Sequence, residues 1–454
     1  MMMMYMGILL FLMTSHTRGY ILQSPDTDYC LSKDPVREQF KHFATKTAYQ
    51  FVRGNENIME ECLPLKFWLL TRHGTRYPSA KDIAKISEIL PGIQENISTL
   101  ANKTSILNSK KHTLCKEDLD LLSTWRWDST ITADKAEFLS SQGWADLHGL
   151  AGYYQKQFPT LLKNKYSKNN FFFRHTDTQR TKGSFQAFAE GLFGSYEHVK
   201  AASIPENDTL LRPYDYLAEW KNQEEKIYEE GSEYEKFKES KYLLDLVEQV
   251  SKKAGNTVNL KTVEIMFKAC TYQQAWRIDE LSPWCALFTP EQVKVLEYLH
   301  DLEEFYRCGS SSNLNRYVTE ELLDNLLDFL ISNAEPKVVA YFAHSTTVEL
   351  FLTSLNIAVD DTSPTADNYE EMVKRKWRTS EIAPFSSNLA AIDLLCETTP
   401  RRRFVFMLNE RLLEVPWCQD TTCTWGEILR KKNKVENSLK KMLFHTFRHH
   451  YVVL

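Results

Sequence analysis

With 454 residues, 43% hydrophobic and 12% aromatic, the chain has apolar surface enough for one large core or two moderate ones. A formal net charge of -5 with 25% charged residues excludes a bulk electrostatic footprint for nucleic acid, so any anion site must be local.

The chain opens with an apolar run at residues 8–13 and a small residue at Gly19, which reads as a signal peptide over residues 1–19. A membrane anchor needs about 20 mostly apolar residues, and Ser15, His16 and Arg18 interrupt this run too early. Nine cysteines and the glycosylation sequons at Asn96, Asn102 and Asn207 agree with an oxidising compartment. The expected localisation is secreted, with the lysosome or ER lumen as the alternative and no stable membrane insertion after signal removal.

Three short apolar runs, at residues 63–70, 171–173 and 338–342, read as buried strands. Each delivers cationic or imidazole side chains just past its end: Arg72 and His73, then Arg174 and His175, then His344. In an open α/β sheet such strand exits share one edge, where ligands bind. Helical spacing of Leu147, Leu150, Tyr153 and Tyr154 marks a helix over residues 143–158. Residues 214–333 are densely charged, with opposite charges at i,i+4, and read as helical. Residues 388–395 and 404–408 are expected to form an antiparallel hairpin at a sheet edge, through a turn containing Pro400. The expected fold is α/β: a mixed, mostly parallel sheet flanked by helices. Residues 20–200 and 334–428 form its core, 201–333 a mainly helical insertion and 429–454 a basic tail.

The central motif is R-H-G-x-R-x-P at residues 72–78. Its five specified positions predict on the order of one chance hit per ten thousand chains of this length. A histidine nucleophile needs a neutral nitrogen facing phosphorus, which the flanking cations Arg72 and Arg76 favour. Their planar forks also suit phosphate oxygens. Gly74 is expected to let the backbone turn sharply toward a ligand, and Pro78 to fix φ of the segment that follows.

On this motif, together with FFFRHTDTQRT (171–181), YFAH (341–344), CTYQQAW (270–276) and SPWCALF (282–288), the chain resembles the histidine acid phosphatases, branch 2 of the histidine phosphatase superfamily. Within that family it looks most similar to the inositol polyphosphate branch. The resemblance implies hydrolysis of phytate-like phosphomonoesters through a phosphohistidine on His73, with Arg72, Arg76, Arg174 and His344 holding the phosphoryl oxygens. It implies no cofactor and no metal, and a small polyphosphorylated molecule as the partner. Family members carry a proton-donating acid just after the second histidine, but here His344 is followed by Ser345, Thr346 and Thr347. The donor is then missing, relocated to Asp177 or Glu349, or replaced by the substrate's own acidic phosphate groups through water. A general acid phosphatase, or a secreted anion-binding protein with little turnover, are the alternative readings.

By the same resemblance Cys62 pairs with Cys396. Cys270–Cys285 and Cys418–Cys423 are local bridges on spacing, with zinc at the latter pair as a minor alternative, and Cys30–Cys115 a weaker pair. Cys308 is left over, either free or bonded between chains. Tyr77 and Lys182 are assigned to the pocket wall or to packing, and His175 is expected to point away from Arg174.

Overall fold

The computed structural model describes residues 29–57, 62–106, 114–397 and 402–450, without the side chains of 100–106 and 441–450. The expected leader at 1–19, the side chain of Asn102 and the turn at Pro400 lie outside this description.

All three apolar runs are strands: β1 (Cys62–Arg72), β2 (Phe171–His175) and β3 (Val338–Ala343). They lie side by side and parallel in the order β2-β3-β1. The sheet continues antiparallel through β4 (Asn388–Cys396), β5 (Arg402–Leu408) and β6 (Arg411–Leu412), with β7 (Thr422–Thr424) also on β5. The mixed sheet is as expected, but four of the six described pairings are antiparallel, so parallel order is confined to the β2-β3-β1 half. The expected hairpin forms, yet β4 lies inside the sheet, bonded to both β1 and β5.

Near-continuous apolar strands follow from burial on both faces. Side chains alternate across the sheet: Phe67, Leu69, Phe173, Ala340 and Phe342 pack beneath the helices Ser141–Gln157 and Gln179–Phe193. Trp68, Leu70, Val339 and Tyr341 face the helices Glu320–Ile331 and Ser345–Ser354. Every regular element described from Pro213 to Ile331 is helical. The apolar cluster around Met266, Trp284 and Leu299 also takes in Leu31, Phe40, Ile86 and Leu90, so the helical layer draws on N-terminal segments as well.

The basic C-terminal stretch is a docked helix, Trp425–His450. Ile428 and Val435 are buried, and Lys432 Nζ reaches Asp324 at 2.8 Å and Asp328 at 2.6 Å. Disulfides join Cys30 to Cys115, Cys62 to Cys396, Cys270 to Cys285 and Cys418 to Cys423. Cys308 stays a thiol and is fully buried, which rules out a bond to another folded chain through it.

Candidate active site

Parallel register brings the chemistry together. Arg72 at the end of β1 is level with Ala343 at the end of β3, and His73 N donates to Ala343 O at 2.9 Å. The rings of His73 and His344 are therefore 5.6 Å apart, edge to face. Beyond β3 the chain enters the helix Ser345–Ser354, and beyond β2 the helix Gln179–Phe193, so two positive helix ends meet at this edge.

His73 is buried, and its Nδ1 lies 2.9 Å from the carbonyl oxygen of Gly74. A carbonyl only accepts, so Nδ1 carries the proton and Nε2 keeps the lone pair. Burial foremost, then the charges of Arg72 and Arg180, holds this imidazole well below its ordinary pKa. His344 is lowered for the same first reason, followed by Arg180 and Arg212. Both rings are thus neutral at physiological pH. His344 Nε2 sits 2.9 Å from Thr176 Oγ1, which fixes the ring from the end of β2.

The loop after His73 is held by close backbone packing. A Cβ on Gly74 would fall against the backbone of Gly143, and one on Gly143 inside the carbonyl of Thr75. Thr75 O in turn accepts from the backbone N and Oγ of Ser140, both at 2.9 Å. Gly74 has no positive φ, so its purpose is contact with the helix Ser141–Gln157 and not the sharp turn toward a ligand expected from sequence.

Arg72 is buried, stacks on Phe385 at 4.5 Å and donates from Nη1 to Thr45 O and Ala383 O. Burial and Arg76 lower its pKa, yet a guanidinium remains charged in this setting. Arg76 lies over Tyr272 at 5.6 Å and within 3.8 Å of Glu137, while Arg180 reaches the other carboxylate oxygen of Glu137 at 3.4 Å. Neither Arg72 Nε nor Arg180 Nε has an acceptor among the described residues, leaving both donors for an anion.

Arg174 does not join them. It sits on the opposite side of β2 from His175, and its guanidinium is taken up by the buried carboxylate of Asp208. The strand alternation foreseen for His175 holds, since that ring stacks on Phe185 at 5.8 Å. The third arginine beside the two histidines is Arg180, five residues after the end of β2 in the same TDTQRT stretch. Its signal was a cation in the first turn of a helix that follows a strand.

Lys46, unremarked in the sequence, is a further cation here. It follows Thr45, whose carbonyl holds Arg72, and burial together with Arg72 and Arg76 pushes its pKa down to about 7. Of the two proposed acids, Glu349 is fully buried, with its carboxyl near Glu304 and Cys308, and burial raises its pKa well above the carboxylate range. That carboxyl faces the helical layer at Glu304 and Cys308, although its charge also reaches Arg72. Asp177 is exposed, as are Lys182 and the sequon residues Asn96 and Asn207. Tyr77 packs on Trp276 at 5.4 Å.

Set beside known proteins, residues 66–407 match the family described as histidine phosphatase superfamily (branch 2). Multiple inositol polyphosphate phosphatase 1 of Drosophila melanogaster is 40% identical over 420 residues, covering 90% of this chain and 89% of the relative. The Homo sapiens protein of the same name is 26% identical, covering 87% of each. In fold, the chain is similar to a D. castellii phytase, with a TM-score of 0.70 at 19% identity over 91% of this chain and 88% of the other. It is also similar to a Bifidobacterium longum multiple inositol polyphosphate phosphatase in complex with inositol hexasulfate, with a TM-score of 0.60 at 12% identity over 84% and 95%.

Proposed function

Because this chain belongs to branch 2 of the histidine phosphatase superfamily, we propose that it is an exported phosphomonoesterase of inositol polyphosphates working through a phosphohistidine on His73. One observation carries the reading: a neutral histidine with its Nδ1 proton committed to Gly74 O stands among Arg72, Arg76 and Arg180.

The steps follow from that geometry. The arginines and Lys46 bind a phosphate dianion, and the orphan donors Arg72 Nε and Arg180 Nε give it hydrogen bonds in a water-poor pocket. Nε2 of His73 attacks phosphorus as the ester P–O bond breaks and the alcohol oxygen leaves with its electron pair to be protonated, and positive charge developing on the ring is offset by the phosphoryl oxygens. His344, tied to Thr176, steadies the equatorial oxygens as charge spreads over them. Water then attacks the phosphohistidine and releases phosphate.

The preference for polyphosphorylated rings is supported by the curated relatives and by the number of cations around one pocket. Export is supported by the apolar start of the sequence and the four disulfides. No described helix is long and apolar enough to cross a membrane.

Purified protein, His73→Ala and His344→Ala assayed with inositol hexakisphosphate and an aryl phosphate test this reading. Loss of at least about 10³-fold in His73→Ala on both substrates is expected. Tight binding of inositol hexakisphosphate without phosphate release by the unmodified protein would sink it in favour of an anion-binding role.

A further inference from the structure

No carboxylate stands in the two positions after His344, and Glu349 is sealed in the core. One acid nevertheless meets two of the pocket arginines. Glu137 contacts Arg76 at 3.8 Å through one oxygen and Arg180 at 3.4 Å through the other.

Its placement is built by the backbone. Tyr77 N donates to Phe138 O and Glu137 N donates to Pro78 O, both at 3.0 Å, and Arg76 bridges Leu139. Leu139 N donates to the side chain of Gln179, one residue before Arg180. Residues 137–139 are thereby pinned between the two arginine-bearing segments. Glu137 also holds a φ of 61°, in the left-handed region that disfavours a non-glycine residue. The backbone pairing and the two ion pairs together hold this carboxylate against the guanidiniums of Arg76 and Arg180.

The geometry points to Glu137 as the general acid that protonates the leaving alkoxide, in place of the carboxylate that family members carry after the second histidine. This rests on the nucleophilic reading of His73. In-line attack sets nucleophile and leaving oxygen on opposite sides of phosphorus. His73 is buried whereas the side chain of Glu137 is 44% exposed, so an ester whose phosphorus faces His73 has its leaving oxygen on the solvent side, the side to which Glu137 opens. A phosphate dianion that takes over Arg76 and Arg180 releases the carboxyl of Glu137 from both guanidiniums and leaves it beside the ester. As His73 Nε2 bonds to phosphorus, the P–O bond breaks, its electron pair stays on the leaving oxygen, and that oxygen takes the proton of Glu137. The carboxylate then accepts a proton from the water that cleaves the N–P bond, restoring the acid.

Glu137→Gln keeps the size of the side chain, and Glu137→Gly suits the positive φ, so both should retain the fold. With inositol hexakisphosphate, whose leaving group is an alkoxide, kcat is expected to fall about 10²- to 10³-fold in each. With an aryl phosphate, whose leaving group needs little protonation, the fall should stay within about tenfold, and His73→Ala should be inactive on both. Equal losses on the two substrates, or no loss on either, would overturn the assignment to Glu137. Activity surviving in His73→Ala would instead overturn the nucleophile and leave the two failures distinguishable.

Discussion

Arginines only six residues apart in sequence have different duties here, and the difference is measurable. Arg180 projects from the first turn of a helix toward His73 and His344, whereas Arg174 neutralises the buried Asp208. Arg180→Ala is expected to lower kcat/KM by about 10²- to 10³-fold, the scale of one preorganised donor to a reacting oxygen. Arg174→Ala should spare most turnover and lower stability by roughly 3 kcal/mol, since it strands a buried carboxylate. Steady-state kinetics and thermal melts of the two variants check the pair.

Lys46 gives the pocket a charge that titrates near neutrality. With its pKa down at about 7, it is cationic below that pH and neutral above it. For the free enzyme, kcat/KM should therefore decline as pH rises through about 7. Lys46→Met should lack this inflection and run roughly ten- to a hundredfold lower on the acid side, the worth of one charge-assisted hydrogen bond. Superimposable pH profiles would remove Lys46 from substrate binding.

At the level of elements, the motif loop is positioned by a helix. Gly143 lies in the first turn of Ser141–Gln157, and its missing Cβ lets the backbone of Gly74 and Thr75 settle against it. Gly143→Ala must push that contact apart. A stability loss of about 1–3 kcal/mol is expected, with roughly 10²-fold lower kcat from misplacement of His73. Unchanged kinetics would show that the loop is held elsewhere.

The same scale shows what sequence could and could not disclose. The strands β1, β2 and β3 were legible because sheets buried on both faces need unbroken apolar runs, and the residues just beyond them marked one edge. The strands β6 and β7, of two and three residues, carry no period to detect. His73, Arg72, Arg76 and His344 lie in or beside local motifs. Arg180 was written in the quoted stretch but only the helix start aims it inward. Lys46 and Glu137 come to the pocket from distant segments, joined by backbone bonds that spacing does not encode.

For the molecule as a whole, pH acts on stability through buried carboxyls as well as on catalysis. Glu410 is fully buried, with Arg53 at 3.5 Å as its paired cation, and burial pushes its pKa up to about 7. Its folded value exceeds the unfolded one, so its contribution is fully present below the unfolded pKa and is lost as pH rises through about 7. Glu410→Gln is expected to raise stability on the order of 1–3 kcal/mol at pH 8, with little change near pH 4. Melting curves at the two pH values decide the matter, and equal shifts at both would contradict it. Glu297 has the opposite sign: although burial opposes its charge, His42, Arg375 and Arg378 lower its pKa to about 2, which preserves that contribution until the medium is strongly acidic.

The proposed mechanism turns on one covalent event between His73 and phosphorus. Rapid mixing with inositol hexakisphosphate, quenching in alkaline denaturant and peptide mapping by mass spectrometry would locate the transferred group. A phosphorylated histidine at position 73, absent from His73→Ala, is the predicted result. A phosphoryl group on any other residue, or steady turnover with no phosphoenzyme and undiminished activity in His73→Ala, would contradict the account.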